Sequence, residues 1–154
     1  MSRVKVTWRE FWRAAQQHMQ AYRRLQSAGR NAPVRTRQAG ASGNADAEPN
    51  ASGYLLLYYA VECALKAKLL ESSKLIYYHQ LEERDQIEHH LNRGLARLHL
   101  KVRIPDAVVR SGSRERISDT ELHQAWRYGK ALEKSDEQRA VMALEQAFRI
   151  LQQL

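Results

Sequence analysis

"YLLLYYAVECALKAKLL", residues 54–70, decides how this chain folds. Its 17 residues are apolar on nearly every face, yet they include Glu62, Lys66 and Lys68. A helical bilayer span needs about 20 largely uncharged residues, and a charge at the bilayer centre is costly. The stretch is therefore predicted to be a helix over 53–72, surrounded by protein rather than lipid. Glu62 and Lys66 stand four apart with the acid first, the favourable order for an intrahelical ion pair. Together they make a polar seam in a greasy helix, a mark of an interface or a site.

On the N-terminal side, Trp8, Phe11, Trp12, Ala15, Met19, Tyr22 and Leu25 recur at steps of three and four. That stripe predicts an amphipathic helix over 7–27. Arg9, Arg13, Gln16, Gln17, Gln20, Arg23 and Arg24 take its other side. Thr7 and Glu10 have the spacing of a capping box. Residues 28–52 are poor in large apolar groups and rich in Gly, Ala, Ser, Asn and Pro, and read as a flexible basic loop carrying Arg35 and Arg37.

On the C-terminal side, Ile87, Leu91, Leu95 and Leu98 predict a third helix over 84–100. Residues 101–115 read as a loop. A fourth helix starts near Ser118 with the capping signal "SDTE", passes through Trp126 and Tyr128, and is interrupted by Gly129. A last helix begins at the box Ser135–Gln138 and turns Val141, Leu144, Ala147, Phe148 and Leu151 inward. No strand pattern stands out. The chain of 154 residues therefore reads as one domain, an all-α bundle of four to five helices.

The formal charge is +8 and uneven. Residues 1–50 hold nine Lys and Arg against three acids, and the remaining 104 contribute only +2. A basic first third points to a polyanion such as RNA, or to an acidic protein surface. Cys63 is the one cysteine, so no internal disulfide forms and a reducing cytoplasm is the simplest compartment. "MSRVKVTWREFW" lacks the apolar core of a signal peptide. No Gly-rich phosphate loop appears, and the six His show no zinc spacing, so neither metal nor cofactor is expected. His89 and His90, as helix neighbours, cannot share a face. What remains is Arg and His chemistry: Arg clamps a phosphate while His moves the 2′-OH proton. Arg116 and His123 stand two turns apart on one face if that stretch is helical, and His123 and Arg127 share a face beside Trp126.

"YYAVECALKAKLL", "HHLNRGLARL", "WRYG" and the closing "SDEQRAVMALEQAFRILQQL" together resemble the HEPN domain family, over roughly residues 54–154. The branch it looks like carries an A-E-x-A-L-K-A helix, an H-D-L helix and an R-Y-P turn in this order. His90 and Leu91 match the second motif, with Asn92 displacing its register; Arg127, Tyr128 and Gly129 match the third, with Gly for Pro. The resemblance implies a helical bundle that dimerises and serves prokaryotic defence or toxin–antitoxin systems. There it would bind RNA, a nucleotide or a partner protein. Active members are metal-independent RNases with Arg, four to six residues, then His. Arg116 and His123 fit that count and are the candidate catalytic pair, with Ile117 where a polar residue is usual. Arg84 and His89 fit it too, but ahead of the third helix. Binding is expected through helix one, Arg35, Arg37, His90, Arg127 and Tyr128, with Trp126 or Tyr128 stacking on a base if exposed. A structural adaptor that touches no RNA is the third reading left open.

Overall fold

The computed structural model describes residues 5–30, 50–83, 86–110, 112 and 114–154. Among them are five α-helices: α1 (Trp8–Arg30), α2 (Ala51–Ser73), α3 (Leu91–Arg97), α4 (Asp119–Arg127) and α5 (Lys134–Gln152). A two-stranded antiparallel ladder, β1 (Ala107–Val108) with β2 (Arg116–Ile117), precedes α4. The fold is an all-α bundle with this small hairpin at its side. None of the described helices is long and apolar enough to cross a membrane.

The apolar run sits where its composition requires. α2 packs against α1, α3, α4 and α5. Neighbours on every side bury Leu57, Tyr58, Val61, Leu65 and Leu70 completely. Each such side chain contributes about 1.5–3 kcal/mol relative to exposure. α1 lies along α2 with Ala15, Met19 and Tyr22 in the core, and Trp12 stacks on Phe148 of α5 at 6.1 Å. The Thr7 hydroxyl accepts the Glu10 amide at 3.3 Å, so α1 is capped as its sequence signals. The predicted stripe fails at its end: Leu25 is 48% exposed. Gly53 lies opposite and offers no side chain to cover it. Val141, Leu144, Ala147, Phe148 and Leu151 of α5 all face the core.

Several boundaries differ from the sequence reading. α1 runs on through Arg30 and α2 begins at Ala51, so both ends of the expected 28–52 loop are helical; Arg35 and Arg37 lie outside the described residues. The third helix is confined to Leu91–Arg97. Before it, Glu88 and His89 adopt left-handed backbone with φ of 33° and 68°, which no α-helix accommodates. After it, His99 is left-handed at φ 58° while the Leu100 amide bonds back to the Leu95 carbonyl at 2.9 Å, closing the helix. Gly94 lets α3 press onto α2, because a Cβ there would stand 3.3 Å from Leu65 and 3.1 Å from Ile87.

The expected 101–115 loop contains β1. Its two residues are too few to show alternation, and their pairing is fixed from elsewhere. The Val109 amide bonds to the Glu115 carbonyl, the Glu133 amide to the Val108 carbonyl, and the Val108 amide to the Asp136 carboxylate at 2.9 Å. The predicted box at Ser135–Gln138 does not form, because Ser135 already lies inside the helix. The N-cap is Glu133, two residues before Ser135, and the Asp136 carboxylate in the first turn of α5 serves the strand. α4 ends as expected. Tyr128 is its C-cap, Gly129 is left-handed at φ 67°, and the Lys130 amide reaches the Ala125 carbonyl at 2.8 Å.

Candidate functional site

The polar groups inside the bundle converge on the turn at 86–90. Glu62, on α2, is 4% exposed. Its carboxylate accepts the His89 amide at 3.0 Å and stands 3.1–3.2 Å from His89 Nδ1. Lys66 Nζ approaches it at 3.5 Å, one turn along the same helix. The Lys66 ammonium also lies over the rings of Phe11 and Tyr78, at 5.7 and 5.1 Å. Glu62 and Lys66 are thus an ion pair, Lys68 pairs with Glu71 at 3.3 Å, and Glu62 faces a histidine from a distant part of the chain.

His89 is held from four directions. Glu62 binds its amide and its Nδ1. The Tyr58 hydroxyl lies 2.8 Å from the His89 carbonyl oxygen and 2.8 Å from that of Asp119, and shares its proton between them. The His89 ring stacks on His123 of α4, with centroids 4.1 Å apart and planes inclined by 19°. Below it, the Tyr78 hydroxyl accepts the Ile87 amide at 2.7 Å. Left-handed backbone at two adjacent non-glycine residues costs on the order of 1–3 kcal/mol each, and these bonds hold it in place. With Nδ1 occupied by Glu62, the neutral ring carries its proton there, and exchange with a ligand falls to Nε2. The His89 side chain is 44% exposed, so the imidazole meets solvent.

His123 is the buried member, at 6% exposure, and among the described residues its Nδ1 has no well-formed hydrogen bond. Burial pushes its pKa below 6.5, and so does the adjacent His89 ring; Glu62 and the Thr120 backbone pull the other way, and Arg127 adds to the lowering. A neutral, tightly packed imidazole suits a stacking partner. Tyr58, buried beside Glu62 and Asp119, has its phenol pKa pushed far up and stays a donor. Cys63, on the same helix, has its thiol raised to about 11 by burial and is protonated at neutral pH.

A second set of bonds fixes the neighbourhood. The Asp119 carboxylate accepts the Asn92 amide at 2.8 Å, capping α3 from α4. The Asn92 side chain grips Ile104 by both backbone groups, donating to its carbonyl at 2.9 Å and accepting its amide at 2.7 Å.

The residues expected from sequence fall in different places. Arg116 and His123 do not share a helix face: Arg116 is exposed on β2, and the chain is extended at Ser118 before α4 begins. Trp126 is 2% exposed, packs at a tilt against Tyr54 and donates its indole N–H to Glu137 at 3.1 Å, so it is core and offers no face to a base. Tyr128, at 71% exposure, does offer one, beside exposed Arg127. His90 is the half-buried N-cap residue of α3 and uses no side-chain bond to cap it. The sequence reading passed over His89, Tyr58 and Asp119. Only the Arg84–His89 spacing pointed to His89, and Arg84 lies outside the described residues. Among the described residues no three His, Cys, Asp or Glu side chains gather as a metal site requires.

A separate feature lies on α1. Arg9, Arg13, Gln16, Gln17, Gln20, Arg23 and Arg24 are all exposed. They span about 22 Å of helix at 1.5 Å per residue. These are four guanidinium groups and three amides, and the exposed carboxylate of Glu10 borders them in the first turn.

Compared with protein-family models, with curated proteins and with solved structures, the chain finds no match in any of the three.

Proposed function

We propose that this chain is a HEPN-like helical module that binds RNA, with the exposed Arg and Gln face of α1 as its principal contact surface. The observation that carries the reading is that face. Four arginines and three glutamines lie along one face, all exposed, with Glu10 the one carboxylate at its border, in the first turn. Guanidinium groups fix phosphates, and glutamine amides suit ribose hydroxyls and base edges. Arg127 and the exposed ring of Tyr128 extend the same chemistry at the end of α4, where stacking on a base is open to Tyr128 alone of the expected aromatic pair. The motif resemblance adds the setting: a prokaryotic defence or toxin–antitoxin system, a cytoplasmic homodimer, and a partner protein from the same operon. Fluorescence anisotropy with a labelled single-stranded RNA tests the reading. Affinity is expected to fall steeply as salt rises from about 50 to 200 mM, and Arg13→Glu with Arg24→Glu to weaken binding by roughly tenfold or more. A folded protein that binds no RNA at the lower salt sinks it.

One observation favours a second reading, a metal-independent endoribonuclease. Glu62 orients a solvent-exposed His89 through Nδ1, the arrangement that leaves Nε2 to move a proton. His89 then replaces His123 as the acid–base group, since His123 is buried. Arg116 drew its role from its count to His123, so with His89 as the acid–base group its part as phosphate clamp is decided by substitution. Cleavage in excess EDTA that leaves a cyclic phosphate, retained by Arg116→Ala and His123→Phe but lost in His89→Ala, would assign the chemistry to His89. Loss in Arg116→Ala as well would add the clamp. RNA left intact by the wild type removes this reading and leaves the binding one standing.

A further inference from the structure

We infer that the outer face of α5 and the 103–105 segment form a docking groove for an acidic amphipathic segment of a protein partner. This surface is independent of the RNA reading. The groove has a volume of about 380 Å³. Arg103 stands on one bank, and Arg139 and Arg149 on the other. Its floor is apolar: Pro105, Ala143 and Met142. Met142 is 67% exposed, on a helix whose Val141, Leu144, Phe148 and Leu151 face the core.

The two banks are preassembled. Asn92 clamps Ile104 through both backbone groups, so Arg103 and Pro105 flank a fixed residue. α5 is tied at its start by Asp136 to Val108 and by buried Glu137 to the Trp126 indole. A ligand therefore meets a formed surface, and little ordering is needed on this side.

Charge and lining choose the occupant. One carboxylate, Glu145, lines the groove against three guanidinium groups. Arg139 is ion-paired with Asp136, while Arg103 and Arg149 form no ion pair among the described residues. Arginine forks bind carboxylates bidentately, and an exposed methionine adapts to apolar side chains of varied shape. Among the described residues no aromatic ring lines the groove, so a nucleobase has nothing there to stack on. A helix with an apolar stripe flanked by Glu or Asp matches the apolar floor and basic banks together.

The test uses the full chain and a fluorescein-labelled helical peptide of about 15 residues, with Leu at every third or fourth position and Glu beside each. Anisotropy should report saturable binding. Arg103→Glu with Arg149→Glu should weaken it by roughly tenfold or more, and Met142→Asp should weaken it as well. The α1 pair Arg13→Glu and Arg24→Glu should leave it unchanged, which separates this groove from general basicity. All these positions are exposed, and an unaltered thermal transition shows that each variant folds. Absence of binding overturns the inference. So does equal affinity for a peptide with every Glu replaced by Gln. If single-stranded RNA displaces the peptide, and RNA binding itself depends on Arg103 and Arg149, the groove belongs to RNA and the inference also fails.

Discussion

The α1–α2 pair and the stretch from 86 to 110 are built on different physics. The first is two long helices whose backbone satisfies itself and whose contact is apolar. The second contains one helix of seven residues, and its backbone is held largely by side chains reaching from elsewhere. Tyr58 and Glu62 of α2 take the carbonyl and amide of His89, Asn92 grips Ile104, and Asp119 and Asp136 take the amides of Asn92 and Val108. The regular region supplies rigidity, and the irregular region uses it to hold a histidine in an uncommon conformation.

That contrast predicts a graded set of outcomes. The largest belongs to the apolar region. Leu65→Ala removes a fully buried side chain on which α3 rests through Gly94, and should cost about 2–5 kcal/mol in a single cooperative transition by urea unfolding. A loss below about 1 kcal/mol would mean that α2 is not the centre of the core. Next comes Asn92→Ala, which strands both backbone groups of Ile104. It should cost about 1–3 kcal/mol, with hydrogen exchange accelerated at 101–106 before the helices open. Uniform acceleration across the chain would erase the distinction between the regions. Tyr58→Phe is smaller, about 1 kcal/mol, and should release protection around His89 and the start of α4.

The smallest effect is a pH dependence. Folding lowers the His123 pKa below 6.5, so the unfolded chain holds that proton more tightly. The stabilisation from a neutral His123 is therefore complete above pH 6.5 and is lost as the pH falls through it toward the folded value. The difference in melting temperature between pH 7.5 and pH 5.5 should shrink in His123→Phe. An equal difference in both proteins would show that another group carries it.

The sequence made the regular region legible and hid the other. Periodicity located α1 and α5 because their burial follows their helical phase, and the continuous apolar run located α2, which neighbours cover on every side. The same signal misread 84–90. Ile87, Leu91 and Leu95 recur every fourth residue and all are buried, yet Ile87 is not helical. The pattern recorded burial and was taken for conformation. His89 was hidden for a further reason: its partners Tyr58 and Glu62 lie 31 and 27 residues earlier, beyond any local spacing rule. Arg116 and His123 were paired by counting residues along a helix that begins only at Asp119. The Arg and Gln stripe of α1, by contrast, is exposed as its spacing implied, because an amphipathic helix with one buried face leaves the opposite face to solvent.

The measurement that bears most directly on the central claim is RNA binding by the intact, folded protein, followed by anisotropy at two salt concentrations, with wild type beside the Arg13→Glu, Arg24→Glu pair. The account predicts saturable binding at about 50 mM salt, a steep loss by about 200 mM, and a further loss of roughly tenfold in the pair. Binding that ignores both salt and the two arginines, or no binding by a protein with a normal unfolding transition, would contradict it.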